Sequence, residues 1–397
     1  MHSSIPSTGD LVFDPHRTTV IFSGGGTGGH LYPALALAEA LEGLRADLRP
    51  VFVGADRGIE ARVLPERGVE HLLLPVEGLR RDRVLANLRV VALLLVALFR
   101  TVALFRRLRP ELVVVTGGYA GGPAGIVAGI LGIRLVVQEQ NAEPGLTTRL
   151  LARRAERIAV AFPEAIRRLP RRARSRAHVT GNPVRPPIAI DRAAAAAHFE
   201  LDPDLPVVLV VGGSQGATAL NEALMDLLRG LARQAIEPLP PLQILWATGP
   251  THFDTVVSEL EGEGIPEWVR IVGYIEAMPR ALALAEVAIS RAGAMATSEF
   301  LAWGIPAILI PLPTAAADHQ TVNARALEEG GAARCLLQSE VSGVRLRDLL
   351  VEITGNPDLR ARMARAARER GRPDAVHEVA GELAALLPPP PPAGRSR

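Results

Sequence analysis

Short β-branched apolar runs alternate with longer helix-like segments along nearly the whole chain, and few folds accommodate this alternation. Parallel strands that are covered by helices on both faces produce this pattern. In the first half of the chain, strands are predicted at Thr18–Ser23, Pro50–Val53, His71–Leu74, Leu112–Val115, Arg134–Val137 and Arg157–Ala161. In the second half, they are predicted at Val207–Val211, Ile244–Ala247, Arg270–Val272, Val287–Ser290 and Ala307–Ile310. The predicted fold class is therefore α/β with parallel sheets.

The two halves begin in the same way, which predicts two Rossmann-like lobes. A strand at 20–23 leads into a glycine loop at 24–30 and a helix at 33–44, and residues 207–233 repeat this order. The proline-rich stretch 182–187 cannot continue a helix. We therefore predict an N-terminal lobe at 1–186 and a C-terminal lobe at 187–397, which ends in a proline-rich tail and whose last helix packs back on the first lobe. Ligands bind at the carboxyl ends of parallel strands, so the lobes are expected to face each other across a cleft.

The charge of the chain is unevenly distributed. Residues 1–186 contain 26 Arg against 16 Asp and Glu (+10), whereas residues 187–397 contain 18 Arg against 26 Asp and Glu (−8), which together give the net charge of +2. A basic half predicts an anionic partner, which would be nucleic acid, an anionic membrane or a phosphorylated substrate. The single cysteine, Cys335, excludes a disulfide scaffold and a thiolate metal cluster.

The segment 84–107 allows two interpretations. Val90–Phe99 is an uninterrupted apolar run with arginines around it, and it fits either a buried core helix or an interfacial helix with its apolar face in lipid. The basic charge of this half favours the membrane. No apolar run reaches about 18 residues, so no transmembrane helix is expected, and the polar start 1–10 does not resemble a signal peptide. The membrane-facing candidates are Arg83, Arg89, Leu93, Leu94, Phe99, Arg100, Phe105 and Arg106.

Nucleic acid is a weaker candidate for the anionic partner. The arginine-rich stretch 149–176 offers one aromatic residue, Phe162, for base stacking. We therefore expect no nucleic-acid partner.

The first glycine loop, residues 24–29, matches the pattern G-x-G-x-x-G, but a dinucleotide site is not predicted. That fingerprint needs an acid at the end of the second strand, and Asp56 lies beyond it in a loop. The loop and the helix behind it favour an anion or a developing negative charge. His30 closes the loop and is either a catalytic or orienting residue or a structural histidine. Glu139 and Asn141 follow a later strand, where they fit either ligand contacts or turn chemistry.

The second half carries a diphosphate candidate. A strand ends at Ser290 and a helix begins near Met295, and a helix N-terminus suits a diphosphate. Glu299, one turn into this helix, is either an acceptor for two ribose hydroxyls or an acid that interacts with the helix dipole. The loop 212–216 lacks the lysine of a P-loop, so ATP hydrolysis is not predicted. The pair Asp202 and Asp204 precedes a strand, which favours a turn, and no metal site is predicted.

Taken together, these motifs resemble the MurG family, bacterial N-acetylglucosamine transferases of the two-lobed GT-B class. The resemblance runs from about Thr18 to about Gly371 and is carried by residues 25–30, 118–123, 139–141, 181–185, 212–216, 298–299, 318–320 and 323–324. It implies an inverting transfer of N-acetylglucosamine from UDP-N-acetylglucosamine to the 4-hydroxyl of the muramyl sugar of undecaprenyl-pyrophosphoryl-MurNAc-pentapeptide. This step converts lipid I to lipid II in peptidoglycan synthesis and serves cell-wall biogenesis, cell shape and cell division. The alternatives are a GT-B transferase acting on another lipid acceptor and a non-catalytic UDP-sugar sensor.

The resemblance also implies residue roles. His30 is the candidate base, Asn141 contacts the donor sugar, and Glu299 contacts the ribose. The other implied substrate-binding residues are Thr27, Gly28 and Gly29 on the acceptor side, Arg185 and Ser214 on the diphosphate, Ile275 at the uracil, Ala294, Met295, Ala296, Thr297 and Ser298 at the helix start, and Gln320 on the sugar. The loop at 314–317 lacks an acid that the family pattern leads us to expect.

The implied partners follow from this activity. They are UDP-N-acetylglucosamine, undecaprenyl-linked lipid I, an anionic membrane surface and cell-wall synthesis proteins, and no cofactor is expected. The implied location is the cytoplasmic face of the cell membrane, where the protein is peripheral.

Overall fold

A computed structural model of the chain describes residues 11–78, 86–262 and 264–390, without the side chains of residues 86 and 87. Contacts divide the chain into two compact units. The first unit comprises Met1–Val184 and Asp374–Arg397, and the second comprises Arg185–Pro373. Arg185 is therefore the first residue of the second unit.

The first unit contains a seven-stranded parallel sheet. Its strands are β1 (Thr18–Gly24), β2 (Leu48–Ala55), β3 (His71–Leu74), β4 (Leu112–Gly117), β5 (Arg134–Glu139), β6 (Arg157–Val160) and β7 (Ala177–Val179). Its helices are α1 (Gly28–Leu44), α2 (Glu60–Glu66), α3 (Ala86–Leu108), α4 (Gly121–Leu131), α5 (Leu146–Leu151), α6 (Pro163–Arg168) and the last helix of the chain, Ala375–Leu386, with a 3₁₀ turn at Arg171–Arg176. The strand order is β3-β2-β1-β4-β5-β6-β7.

Alternation along the central strands divides the core of the first unit into two layers. Val20 and Phe22 face the layer that contains α1, α2 and the last helix of the chain. Ile21, between them, faces the layer that contains α3, α4 and α5. Both faces of the sheet are therefore covered, as its continuous apolar strands require.

The last helix of the chain completes the core of the first unit. Val379 and Leu383 are 1% exposed and pack in the same layer as α1. His178 Nε2 lies 2.7 Å from Glu382 Oε2, and the Arg45 guanidinium donates to the Pro388 carbonyl at 3.0 Å. Residues that are distant in sequence thus hold the two segments of this unit together.

The second unit contains a six-stranded parallel sheet with the order β10-β9-β8-β11-β12-β13. Its strands are β8 (Val207–Val211), β9 (Gln243–Ala247), β10 (Val269–Val272), β11 (Ala285–Ser290), β12 (Ala307–Leu309) and β13 (Ala333–Cys335). Its helices are α7 (Arg192–His198), α8 (Thr218–Ala232), α9 (Phe253–Glu261), α10 (Met278–Leu284), α11 (Ala294–Trp303), α12 (His319–Glu329), α13 (Gly343–Thr354) and α14 (Pro357–Arg370), with 3₁₀ turns at Ala316–Asp318 and Gln338–Glu340; the last helix of the chain is α15. The first strand of each unit thus lies inside its sheet, next to the fourth.

Helix α3 is buried on one side and exposed on the other. Ala97 and Phe105 are 0% and 2% exposed and pack in the core of the first unit. The opposite side exposes Leu95 and Phe99, with 63% and 77% of their surface in contact with solvent. The prediction that Phe105 faces a membrane is therefore wrong, because it lies on the core side of the helix. Arg83 lies outside the described residues.

The expectation of no helix with transmembrane character also needs correction. Leu88–Leu108 is a stretch of 21 residues with a mean hydropathy of 2.3, which is long and apolar enough to cross a membrane by length and composition. The prediction relied on uninterrupted apolar runs, and the arginines at 89, 100 and 106 break the run without removing its overall apolar character. Because one side of this helix packs in the core of the first unit, length and composition alone do not make it a span.

Candidate functional site

The glycine loop of the first unit connects β1 to the first turn of α1. The helix begins at Gly28, five residues before the predicted start at Pro33, with Thr27 as an extended N-cap residue. Gly28, Gly29 and His30 therefore lie in its first turn, and Thr27 and Gly29 are exposed. Gly26 adopts a φ of +86°, and a side chain there would collide with the ring of Tyr119. Glycine at position 26 is therefore required both by the backbone conformation of the loop and by its packing against Tyr119.

A second glycine pair supports this loop. Gly117 and Gly118, at the end of β4, adopt φ values of +100° and +71°. A Cβ on Gly118 would lie 2.0 Å from the Gly25 carbonyl oxygen and 3.0 Å from the His30 ring. The close packing of the two loops therefore depends on glycine, and it leaves space for the histidine.

Glu60 anchors the backbone of this glycine loop through hydrogen bonds, and the sequence did not predict it. Its side chain is 0% exposed, and Oε1 accepts hydrogen bonds from the backbone N–H of Gly26 at 2.8 Å and of Ala55 at 3.1 Å. A Cβ on Gly25 would lie 1.8 Å from this oxygen, and Gly54 and Gly58 also make room for the side chain. Gly54 and Gly58, which precede Glu60 at the start of α2, were the only nearby signal, because Gly25 and Gly26 lie far away along the chain.

His30 is held by two acceptors. Its Nδ1 lies 3.1 Å from the Thr116 carbonyl oxygen and 2.8 Å from Gln140 Oε1. No hydrogen bond reaches Nε2 from any residue that the structure describes. The ring is partly exposed, at the carboxyl edge of β1 and β4. His30 is thus oriented on one side and open on the other, as a general base requires.

Glu139 orders the loop that carries Asn141. Its carboxylate is 2% exposed and accepts hydrogen bonds from the backbone N–H groups of Asn141 and Gly145, each at 3.0 Å. The side chain of Asn141 also donates to Glu139 Oε1 at 3.3 Å. Of the two predictions for Glu139, the geometry supports turn chemistry. Asn141 lies next to Gln140, and therefore on the same strand edge as His30.

A cavity of about 620 Å³ opens at the carboxyl edge of the second sheet. The predicted residues Ala296 and Gln320 line it, together with the glycines around Ser214. Ser290 and Arg291, at the strand end that the sequence places before the diphosphate candidate, also line it. Glu222, Leu312 and Gln338 line it as well and were not predicted.

Helix α11 presents its N-terminus beside this cavity. Gly293 is the N-cap residue and supplies no side-chain cap, and the first turn contains no acidic residue. The hydroxyl of Thr297 donates to backbone carbonyls within this turn. Asn323 donates to the Ala292 carbonyl at 3.2 Å and steadies the approach to the helix. A helix start of this kind attracts an anionic group.

Glu299 and Arg291 are both perturbed by burial. Burial raises the pKa of Glu299 to about 7, although Arg185 acts in the opposite direction. Burial lowers the pKa of Arg291, whose guanidinium donates to the Ile310 and Pro311 carbonyls at 3.2 Å each. Hydroxyl donors near a carboxyl with a pKa of about 7 would stabilise its charged form and so lower its pKa.

Gln320 is fixed by a hydrogen bond from the Leu312 N–H to its Oε1 at 3.0 Å.

Other predicted residues lie in different surroundings. Ile275 is 3% exposed, and Arg185 and Ser214 are exposed. Asp202 Oδ1 accepts a hydrogen bond from the Asp204 N–H at 2.8 Å, which closes the expected turn. Within the described residues, no group of three or more His, Cys, Asp or Glu side chains is arranged to hold a metal ion.

Two parallel sheets, each with a glycine loop after its first strand, have the architecture of the GT-B class of glycosyltransferases, and the family matches place the chain in that class. Residues 20–160 match the Glycosyltransferase family 28 N-terminal domain, and residues 207–379 match the Glycosyltransferase family 28 C-terminal domain.

Comparison with similar proteins identifies the family within this class. The chain is 41% identical over 373 residues to the UDP-N-acetylglucosamine–N-acetylmuramyl-(pentapeptide) pyrophosphoryl-undecaprenol N-acetylglucosamine transferase of Salinibacter ruber, covering 94% of this chain and 97% of that protein. The transferase of the same name from Desulfitobacterium hafniense is 39% identical, with 91% and 97% covered. The crystal structure of Acinetobacter baumannii MurG matches with a TM-score of 0.73 and 29% identity, over 93% of this chain and all of that one. The chain therefore belongs to the MurG family of glycosyltransferases.

Proposed function

We propose that this protein transfers N-acetylglucosamine from UDP-N-acetylglucosamine to the 4-hydroxyl of the muramyl sugar of undecaprenyl-pyrophosphoryl-MurNAc-pentapeptide. The observation that carries the proposal is the match to a transferase of this name over 94% of the chain, so that both units are included. The product is lipid II, and the reaction inverts the anomeric centre. Its place is peptidoglycan synthesis.

The second unit is proposed as the donor side. The diphosphate would lie at the start of α11, near the glycine loop at 212–216 and with Arg185 as a counter-charge. The uncapped helix start and the adjoining cavity support this assignment. Glu299 would accept hydrogen bonds from the ribose hydroxyls, Ile275 would meet the uracil, and Gln320 would contact the sugar. The leaving UDP gains negative charge, which a helix N-terminus stabilises.

The first unit is proposed as the acceptor side. The acceptor hydroxyl would meet the exposed residues Thr27 and Gly29, and His30 Nε2 would take its proton as oxygen attacks the anomeric carbon. The bond from that carbon to the diphosphate oxygen breaks in the same displacement, so UDP leaves on the opposite face. Asn141 would contact the donor sugar. The open nitrogen of His30 supports this assignment.

The exposed side of α3 is proposed as the contact with the cytoplasmic membrane surface. Leu95 and Phe99 would enter the interface, while Arg89, Arg100 and Arg106 would meet anionic headgroups. The exposure of this apolar side supports the proposal. A lipid-linked acceptor requires the enzyme to work at the membrane surface, so the location would be peripheral.

The function is tested by measuring UDP release from UDP-N-acetylglucosamine with and without a lipid I analogue, in metal-chelated buffer. We expect release only with the acceptor. Release with a diacylglycerol acceptor instead would assign the chain to another lipid substrate. Donor binding without release in the presence of either acceptor, and also after magnesium is restored, would favour a UDP-sugar sensor.

A further inference from the structure

A chain of buried amides lies behind His30. Gln138, Gln140 and Asn182 are each at most 1% exposed, and all three belong to the first unit. We call these three side chains the amide chain. Each amide has one donor end and one acceptor end, so its orientation follows from its neighbours.

The orientation can be read from its backbone anchor. The Asn182 Nδ2 group donates to the Gln140 backbone carbonyl at 3.1 Å, because a carbonyl can only accept. Asn182 Oδ1 then accepts from Gln138 Nε2 at 3.0 Å. Gln138 Oε1 in turn accepts from Gln140 Nε2. The sequence of donors and acceptors thus leads from a main-chain group towards His30.

The last amide has only one workable orientation. Gln140 Nε2 lies among oxygen atoms, with the Thr116 carbonyl at 2.7 Å and the Gln138 carbonyl at 3.2 Å. Rotating this amide by 180° would place Oε1 against those oxygens. The orientation that avoids this repulsion turns Oε1 towards His30 Nδ1, at 2.8 Å.

His30 Nδ1 therefore faces two acceptors, the side-chain oxygen of Gln140 and the carbonyl of Thr116. In the neutral imidazole, one nitrogen carries the proton and the other carries the lone pair. Two acceptors at Nδ1 require the proton to be on Nδ1. The lone pair is then on Nε2, the nitrogen to which no described residue forms a hydrogen bond.

We propose that Gln140 is a positioning residue for His30, which holds the imidazole proton on Nδ1 and presents Nε2 as the base towards the acceptor hydroxyl. The proposal rests on the proposed function for its catalytic part. Its structural part, the tautomer of His30, stands independently of turnover. The amide chain explains why three buried polar side chains lie behind a single partly exposed histidine.

The tautomer is tested by ¹⁵N NMR of histidine-labelled protein at a pH where His30 is neutral, with the His30 signals assigned by their loss in His30→Ala. We expect Nδ1 to be protonated and Nε2 to be unprotonated in the wild-type protein. A wild-type spectrum with the proton on Nε2 would overturn the proposal, whatever the variants do.

Two variants at position 140 separate the hydrogen bond from packing. Gln140→Met keeps a long side chain but removes the acceptor and leaves Thr116 alone at the longer distance, so we expect a mixture of tautomers. The kcat should fall roughly ten- to hundredfold with little change in the KM for the donor, as expected for a misoriented catalytic group. Gln140→Glu keeps an oxygen opposite Nδ1 and should retain the proton on Nδ1, but its second oxygen faces the Thr116 and Gln138 carbonyls, so we expect a lower Tm than in the wild type. An unchanged tautomer in Gln140→Met would refute the positioning role.

A matched control comes from the second unit. Gln243 is also a buried glutamine, with both ends of its amide bonded to the Asp202 backbone at 2.8 Å, and it begins β9, at the amino edge of the second sheet. Gln243→Met should leave the His30 spectrum as it is in the wild type. If both Met variants changed it equally, the effect would be general destabilisation. Wild-type turnover in His30→Ala would remove the base role while leaving the tautomer result intact.

Discussion

His30 and Glu299 show how the surroundings of one side chain prepare it for a role. His30 is fixed at Nδ1 and open at Nε2, while Glu299 is a carboxyl whose burial favours its neutral form. A substrate could therefore complete the surroundings of each residue. It would offer a proton to His30 Nε2 and hydrogen-bond donors to the Glu299 carboxyl.

Replacing His30 by Ala should slow transfer strongly while donor binding is retained. A general base contributes roughly 10²- to 10⁴-fold to the rate, so kcat should fall within that range. The affinity for UDP should remain within about threefold, because every UDP contact we propose lies in the second unit. Calorimetric titration with UDP, alongside the release assay, checks both. Turnover at the wild-type rate would exclude His30 as the base.

Glu299 should make donor affinity depend on pH. Ribose hydroxyls stabilise the charged carboxylate, so binding should weaken as the pH falls below about 7, towards tenfold per pH unit. UDP-N-acetylglucosamine is a better probe than UDP, because the terminal phosphate of UDP has a pKa of about 6 and would itself titrate in this range. The affinity of Glu299→Gln should be lower and independent of pH in this range. An equal pH dependence in both proteins would remove Glu299 from the ribose site.

The same carboxyl should also affect stability. Its pKa is raised from 4.5 to about 7 in the folded protein, so the folded state binds the proton more tightly than the unfolded state. The free energy of unfolding should therefore decrease as the pH rises from about 4.5 to about 7. Glu299→Gln lacks this loss, so its gain in Tm over the wild type should be larger at pH 8 than at pH 5. The exposed residue Glu369, changed to Gln, is the control and should show no such difference.

The sequence pattern pointed to some of these residues and not to others. His30, Glu299 and Gln320 are predicted as site residues because each follows a strand end or a helix start in the linear pattern. Gln140 and Glu60 could not be assigned their roles, because their partners lie far away along the chain. Glu60 is 34 residues from the Gly26 N–H that it binds, and Gln140 is 110 residues from His30.

At the scale of single elements, the glycine loop depends on Glu60. Glu60→Ala would leave the buried N–H groups of Gly26 and Ala55 without an acceptor. We expect this change to lower the free energy of unfolding by roughly 2–4 kcal/mol. Glu60→Gln retains an oxygen for both and should lose much less. Chemical denaturation of the two variants checks this order. Equal losses would mean that charge, and not the acceptor, is what the loop requires.

Helix α3 should determine membrane binding. Reversing the exposed pair Arg100 and Arg106 to Glu should weaken sedimentation with anionic liposomes, by about 1 kcal/mol for each charge removed. The control reverses Arg362 and Arg365, which are exposed on α14 and change the net charge equally. We also expect Phe99→Ser to weaken binding to neutral vesicles. If both reversals had the same effect, the binding would depend on overall charge and not on α3.

The sequence pattern missed one edge strand of each sheet. β3 and β8 have the predicted bounds, whereas β7 and β13, of three residues each, were not predicted. Such short edge strands contain too few residues for a visible pattern, and their place depends on pairing with a neighbour. The face of α3 was also misjudged at Phe105, because a nearly continuous apolar helix does not reveal which of its sides meets the core.

At the scale of the whole molecule, the first unit needs both ends of the chain. Deleting residues 374–397 would remove Val379, Leu383 and the other buried side chains of α15, a loss on the order of 5 kcal/mol. Trp246, Trp268 and Trp303, the three tryptophans of the chain, all belong to the second unit. Thermal unfolding followed by tryptophan fluorescence should therefore stay near its wild-type midpoint, while circular dichroism should show an earlier transition. Coincident shifts in both signals would show that the units unfold together.

The return of α15 also imposes an order on synthesis. The first unit is translated early, yet one layer of its core is incomplete until residues beyond Asp374 emerge from the ribosome. The intervening stretch Arg185–Pro373 takes roughly 10 to 40 s to make at ordinary elongation rates, and it contains a complete sheet of its own. The second unit can therefore finish folding before the first. Until α15 has been synthesised, one apolar face of the first unit stays exposed and is accessible to chaperones.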